Sequence, residues 1–165
     1  MHLFYRALEG LDFATYIREA ELEFAQHNPS IEDAWNHRTV RITDWPITQH
    51  VKRFLEAQLN CQLGIQEAQI QIWPIGCRSV MHVHDFKGRE STDYNSLLYL
   101  NEDFTGGEFF TGDGLTITPK QGLLTFFDGR KVWHGVNQVQ DKNRYTLIFW
   151  WKDTKFNHEQ IPDSV

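Results

Sequence analysis

The sequence has few cysteines, no excess of positive charge and no long apolar run. Its two cysteines, Cys61 and Cys77, are too few for a disulfide-stabilised scaffold and indicate thiols in a reducing compartment. The 16 lysines and arginines against 22 acidic residues give a net charge of −6, which argues against a dedicated nucleic-acid binder. No apolar run approaches the roughly 20 residues that span a bilayer. The N-terminus also lacks the apolar stretch of a signal peptide, so we expect a cytoplasmic protein with no membrane or nucleic-acid partner.

The composition is that of a folded domain. Hydrophobic residues make up 41% of the chain, charged residues 23% and aromatic residues 14%. These fractions exclude a disordered chain, and 165 residues can bury a complete core without disulfides or a structural metal. The sequence has no internal repeat, low-complexity tract or linker, so we expect one domain over residues 1–165.

Residues 1–64 carry apolar residues at helical spacing. A first helix, from about Asp12 to His27, is predicted by Phe13, Ile17, Ala20 and Phe24. A second helix is predicted to start around Pro46, with Asp44 as its N-cap, and to end near Asn60. We expect these helices to support a sheet formed by the rest of the chain.

After residue 64 the apolar period changes to two, which is typical of strands. Ala68, Ile70 and Ile72 alternate with polar residues. Further strands, separated by short turns, are predicted at residues 95–101, 107–111, 115–118, 122–127, 132–139 and 144–151. Several short strands of this kind indicate a sandwich or barrel. We therefore predict an α+β fold, in which a double-stranded β-helix (jelly-roll) core at residues 65–152 packs against helical support from residues 1–64.

Four side chains have the spacing of a metal site. His82, His84 and Asp85 lie within four positions, and His134 follows on a later predicted strand. A β-sandwich brings distant strands together, so these side chains can converge on one ion. Two histidines and one carboxylate on one side of an ion form the facial arrangement of non-heme Fe(II) oxygenases. The alternative is that the histidines lie at the surface near strand ends.

Arg144, at the start of the last predicted strand, supports the metal-site interpretation. In an extended strand it shares a face with Thr146, Ile148 and Trp150. A guanidinium among apolar side chains is costly unless it meets an anion, and it pairs bidentately with a carboxylate. Tyr99 offers a hydroxyl to the same carboxylate. The alternatives are a salt bridge from Arg144 to an acidic residue and a core position for Tyr99.

From Ile70 to Trp151 the sequence resembles the Fe(II)/2-oxoglutarate-dependent dioxygenases, in particular their prolyl-hydroxylase-like branch. The resemblance rests on an ordered set of motifs: Trp73-Pro74-Ile75-Gly76, His82 with its acidic neighbour, Tyr94 to Asn101 ending in Tyr-Leu-Asn, Gly106-Gly107-Glu108, Pro119 to Gly122 through Phe126-Phe127, His134-Gly135-Val136 and Asn143 to Thr146. The set covers about half of the chain in the order of the family.

The resemblance implies a role for each matched residue. His82 and His134 are expected to bind Fe(II). The 2-oxoglutarate pocket is expected to consist of Arg144, which pairs with the distal carboxylate, and of Tyr99, Thr146, Trp73 and Leu97. Dioxygen is the second co-substrate, ascorbate is an accessory, and the products are succinate, carbon dioxide and a hydroxylated substrate. The resemblance implies a peptide, protein or amino-acid substrate, with proline as the leading candidate.

The third metal ligand departs from the family motif, which is His-X-Asp. The spacing of two residues connects His82 to His84, whereas Asp85 lies one residue later. A one-residue bulge after Val83 brings Asp85 to the metal, and we expect this arrangement because a carboxylate offsets the charge of the ion. His84 then supports the ligands or faces the substrate. In the alternative, His82, His84 and His134 bind iron as three neutral ligands.

A second function fits the same residues. In a cupin-type metal-binding β-sandwich, three histidines would bind the metal and Arg144 would hold another anion, with different or no oxygenase chemistry. The identity of the third ligand and the turnover of 2-oxoglutarate distinguish the two functions.

Overall fold

The computed structural model describes residues 1–27, 38–84 and 92–154, which contain two helices and ten strands. In chain order the elements are β1 (His2–Phe4), α1 (Phe13–His27), β2 (Arg38–Arg41), α2 (Pro46–Leu59), β3 (Leu63–Trp73), β4 (Ser79–His82), β5 (Tyr94–Tyr99), β6 (Phe109–Thr111), β7 (Thr116–Ile117), β8 (Leu124–Phe127), β9 (His134–Val136) and β10 (Arg144–Asp153). Neither helix is long and apolar enough to cross a bilayer.

The two helices lie where the apolar periodicity predicts them. The predicted Asp44 N-cap of α2 is wrong, however, because the helix begins at Pro46 and Trp45 is the N-cap, without a side-chain capping hydrogen bond. The residue before a proline is held in extended backbone, and Pro46 has no N–H that needs a partner. The C-cap is Asn60 in the left-handed conformation, which confirms the predicted end of the helix.

The strands pair antiparallel in two sheets. The major sheet has the order β1-β8-β5-β10-β3-β2, and the minor sheet has the order β4-β9-β6-β7. With two helices this is the predicted α+β fold with a double-stranded β-helix core. The sequence analysis does not predict three further strands, β1, β2 and β4, which have three or four residues each. β1 and β2 pair with β8 and β3, so residues 1–64 contribute strands to the major sheet as well as helices.

One face of the major sheet forms the hydrophobic core with the helices. Leu147 and Phe149 of β10 are fully buried in a cluster that also contains Val51 and Leu55 of α2. The alternating residues of β10 therefore point to the opposite face, between the two sheets. The helices stabilise the sheet from one side and leave its other side for polar side chains.

Truncation of Leu55 to alanine is expected to lower the free energy of unfolding by about 2–5 kcal/mol, because the side chain is fully buried. Leu22→Ala on α1 removes the same atoms from a side chain that is 55% exposed, and we expect it to change stability by less than about 0.5 kcal/mol. Urea denaturation measures both variants. Equal losses would contradict the packing of α2 against the sheet.

Candidate active site

The inner face of the major sheet carries the predicted anion-binding residues. In the strand register, Thr146 of β10 lies opposite Tyr99 of β5, and Arg144 lies opposite Trp73 of β3. Partners in register present their side chains on the same face. The predicted placement of Arg144 and Thr146 on one inward face is therefore confirmed.

Arg144 is fully buried, and its guanidinium lies between two aromatic rings. Its Cζ atom is 5.1 Å from the ring centroids of both Trp73 and Tyr99. Nη1 donates a hydrogen bond to Thr146 Oγ1 at 3.4 Å. Nε and Nη2 of Arg144 and the hydroxyl of Tyr99 are buried, and none of these atoms has a hydrogen-bond partner among the described residues. Since unsatisfied buried donors are costly, this arrangement indicates a binding site for an anion.

Burial also keeps the hydroxyl of Tyr99 in its donor form. Removal from water raises the pKa of Tyr99, and the neighbouring positive charge of Arg144 offsets only part of this effect. The phenol is thus protonated at neutral pH. Together, Tyr99 and Arg144 present donors that match the oxygens of one carboxylate.

A glycine turn and an asparagine hold Arg144 in place. A Cβ atom at Gly107, whose φ is +66°, would lie 2.9 Å from Cδ of Arg144. Asn101 accepts a hydrogen bond from the Tyr145 amide at 2.9 Å and donates one to the Asn143 carbonyl at 3.0 Å, so it fixes the backbone on both sides of Arg144. No role for Asn101 was predicted from the sequence, although its position at the end of the Tyr-Leu-Asn motif points to one.

Three histidines converge near the minor sheet. One ring nitrogen from each of His82, His84 and His134 lies within 4.8 Å of the other two. The pairing of β4 with β9 places His82 opposite His134 in register, with ring centroids 4.4 Å apart. His134 also packs between Phe109 and Phe127, at centroid distances of 5.2 and 5.0 Å. The predicted convergence of distant strands on one cluster is confirmed.

Each imidazole pairs through Nδ1 with a carbonyl oxygen. The partners are the Val80 carbonyl for His82 at 2.9 Å, Asn95 Oδ1 for His84 at 2.8 Å and the Val132 carbonyl for His134 at 2.7 Å. A carbonyl oxygen can only accept, so Nδ1 carries the proton and Nε2 bears the lone pair. This is the tautomer in which a histidine with an oriented ring binds a metal ion.

The electrostatics of the cluster also favour neutral rings. Burial lowers the pKa of His82, of His84 to about 4 and of His134 to about 3. Mutual repulsion contributes a smaller part of the lowering at His84 and His134, because a charge on one ring disfavours a charge on the next. At neutral pH all three rings can therefore act as metal ligands without first losing a proton.

The other predicted site residues differ in how far the structure describes them. Leu97 is buried in a small cluster with Tyr99 and Phe109 on the inner side of the major sheet. Trp73 is buried against Arg144, and its Nε1 donates to Gln71 at 3.2 Å. Asp85 lies outside the described residues, so its assignment as the third ligand stays a prediction.

The arrangement fits a divalent metal and a carboxylate-bearing ligand. Neutral imidazoles suit divalent first-row metals such as Fe(II). The unsatisfied donors of Arg144 and Tyr99 fit one end of a dicarboxylate such as 2-oxoglutarate. The donors of Arg144 and Tyr99 lie on the side of the major sheet that faces away from the helices, and His84 packs beside Trp150 on the same side.

The sequence matches a known family model over about half of its length. Residues 68–152 match the model described as the 2OG-Fe(II) oxygenase superfamily, where 2OG is 2-oxoglutarate. The chain therefore belongs to the 2OG-Fe(II) oxygenase superfamily, whose metal is Fe(II) and whose co-substrate is 2-oxoglutarate. A requirement for dioxygen follows from the family.

Individual proteins resemble the chain in sequence or in structure. Prolyl 3-hydroxylase 2 of Homo sapiens is 43% identical over 65 residues, which cover 35% of this chain and only 9% of that protein. A prolyl-4-hydroxylase of Pseudomonas putida superposes with a TM-score of 0.74 at 18% identity, covering 92% of this chain and 91% of that one. The viral collagen prolyl hydroxylase of Paramecium Bursaria Chlorella virus-1 has a TM-score of 0.69 at 17% identity, covering 92% and 94% of the two chains. At these identities the structural likeness establishes the fold.

The stability of the metal-free protein is expected to fall as the pH is lowered from about 6.5 to about 4. In this range the unfolded histidines, with a pKa near 6.5, bind protons, whereas His84 and His134 stay neutral in the folded chain because burial depresses their pKa to about 4 and about 3. The unfolded state then binds more protons, so acid favours unfolding. Chemical denaturation at a series of pH values, with a chelator present, measures the slope. His134→Gln removes one of these titrations and should give a shallower slope, and an unchanged slope would contradict the neutral buried state.

Proposed function

We propose that this protein is a 2-oxoglutarate-dependent dioxygenase with Fe(II) as its metal, and that it hydroxylates prolyl residues of a peptide or protein. The observation that carries the proposal is the fully buried Arg144, whose Nε and Nη2 atoms have no partner among the described residues. Arg144 shares a face of β10 with Trp150, whose ring lies 6.4 Å from that of His84 in the imidazole cluster. A carboxylate site beside a metal site is what a 2-oxoglutarate-dependent hydroxylase needs. The superfamily match favours this function over the cupin-type alternative.

The proposed roles follow from the positions of the side chains. The guanidinium of Arg144 and the hydroxyl of Tyr99 bind the distal carboxylate of 2-oxoglutarate, while Thr146 orients Nη1 of the guanidinium. The rings of Trp73 and Tyr99 exclude water from the ion pair and thereby strengthen it. When bound, Fe(II), 2-oxoglutarate and dioxygen supply the oxidising chemistry. The chain holds and orients these groups and shields them from solvent.

Two observations support proline as the substrate residue. The relatives in sequence are prolyl 3-hydroxylases and the similar structures include prolyl hydroxylases, although the names differ in the ring carbon that is modified. In addition, the half-buried ring of Trp150 lies 6.4 Å from that of His84, between ring centroids. An aromatic ring beside the metal cluster offers an apolar surface to a pyrrolidine ring.

Arg144→Ala is expected to raise the KM for 2-oxoglutarate at least about 30-fold, because truncation of one partner of a buried charge pair costs about 2–5 kcal/mol. Arg144→Lys keeps the charge but loses the planar fork, and we expect an intermediate KM. Succinate formation by the Fe(II)-loaded protein, with ascorbate present, measures both variants. Arg41→Ala removes the same charge from an exposed position on β2 and serves as the control. An unchanged KM in Arg144→Ala would show that the carboxylate binds elsewhere.

Peptides that contain proline are expected to stimulate succinate formation and to gain one oxygen atom, since the proposed target is the pyrrolidine ring. The same peptides with alanine in place of each proline should do neither. Mass spectrometry detects the added oxygen, and analysis of the hydrolysed peptide separates 3-hydroxyproline from 4-hydroxyproline. Turnover of 2-oxoglutarate without oxygen transfer to any proline peptide would overturn the proposed substrate and leave the co-substrate assignment intact.

A further inference from the structure

We infer that the third protein ligand of the iron is His84, so that three neutral imidazoles, from His82, His84 and His134, hold the metal. This inference rests on the Fe(II) site of the proposed function and departs from the His-X-Asp motif of the family. It concerns the composition of the metal site and not the substrate.

The geometry of the cluster supports a shared ion. Within the described residues, the cluster consists of these three histidines and contains no carboxylate. The ring centroids of His84 lie 5.3 Å from those of His82 and 4.8 Å from those of His134. Two nitrogens that bind one ion at about 2.1 Å in adjacent coordination positions lie about 3 Å apart. The ring nitrogens of the three histidines already lie within 4.8 Å of one another, close to this spacing.

The fold orients His84 as tightly as the other two histidines. Its backbone amide donates to the Gly129 carbonyl at 2.8 Å, and its Nδ1 donates to Asn95 Oδ1 at 2.8 Å. Asn95 is fully buried, and its own Nδ2 donates to the Phe149 carbonyl at 3.4 Å, which fixes the amide with Oδ1 towards the histidine. Nε2 of His84 is therefore the nitrogen with the lone pair, as in His82 and His134.

Gly129 also contributes to the orientation of His84. A Cβ atom at this position would lie 2.0 Å from Oδ1 of Asn95 and 2.9 Å from Nδ1 of His84. The chain thus keeps a glycine where any side chain would break the His84–Asn95 hydrogen bond. A buried amide and a glycine that together select one tautomer of one histidine are typical of the support of a metal ligand.

The neutral ligand set changes the charge of the site. With two histidines and a carboxylate, Fe(II) would leave a net charge of +1 before the co-substrate binds, whereas three histidines leave +2. The more positive site attracts the dianion of 2-oxoglutarate more strongly, and by linkage 2-oxoglutarate tightens the metal to the same degree. The increase in metal affinity when 2-oxoglutarate is added can therefore be measured as a second property of the site.

The decisive experiment is X-ray absorption spectroscopy of the unmodified full chain loaded with Co(II) or Fe(II) under anaerobic conditions. We expect scattering from three imidazoles, and a count of two would overturn the inference. Because the measurement needs no variant and no substrate, its outcome does not depend on folding of a mutant or on prolyl hydroxylation. A protein with three imidazoles on the metal that fails to hydroxylate proline would refute the proposed substrate alone.

Metal titrations of variants provide the independent test. His84→Ala is expected to weaken Co(II) binding at least about 100-fold, as loss of a direct ligand should exceed the 10–100-fold effect of losing a supporting group. Asp85→Ala is the matched comparison, and we expect a change of less than about threefold. His84→Asp restores His-X-Asp spacing and should bind Co(II) within about tenfold of the unmodified chain, with two imidazoles in the absorption spectrum. Loss of binding in Asp85→Ala with binding retained in His84→Ala would overturn the inference.

Discussion

The buried positive charge of Arg144 is the constraint on which the inner half of this structure depends. A guanidinium removed from water is destabilising unless an anion meets it, and the described residues leave two of its nitrogens unsatisfied. Two aromatic rings, the glycine turn at Gly107 and the hydrogen bonds of Asn101 surround the group and hold it in place. The folded protein therefore presents buried donors that fit a carboxylate.

The two faces of the major sheet differ in their contribution to stability, and this difference allows the buried charge of Arg144 to be tolerated. Leu147 and Phe149 bury their side chains against the helices, while Arg144 and Thr146, which alternate with them along β10, point between the sheets. The helical side supplies the hydrophobic stabilisation, so the inner side can carry unsatisfied donors and neutral buried histidines. The same strand thus serves the core and the active site.

Much of the site could be predicted because its residues obey local rules. Period-two alternation placed Arg144 with Thr146, and the histidine spacing predicted that His82 and His134 come together, which the structure shows with His84 beside them. The predictions that failed also concern short segments of the chain. The strands β1, β2 and β4 were not predicted. The predicted Asp44 N-cap did not take account of the extended backbone that Pro46 imposes on Trp45. The supporting roles of Asn101 and Asn95 were not predicted, because the neighbouring sequence does not indicate which residues they hydrogen-bond.

By itself, the sequence determined the alternation of faces, the positions of the helices and the residue types available for iron and 2-oxoglutarate, because these follow from short-range periodicity and side-chain chemistry. Only the tertiary structure decided which groups meet. Asn95 reaches His84 across 11 positions, and Asn101 reaches Tyr145 across 44. Gly129 touches the first of these pairs through space. Such contacts depend on strand register and sheet closure, which join residues far apart in the chain and leave no signature in its local pattern.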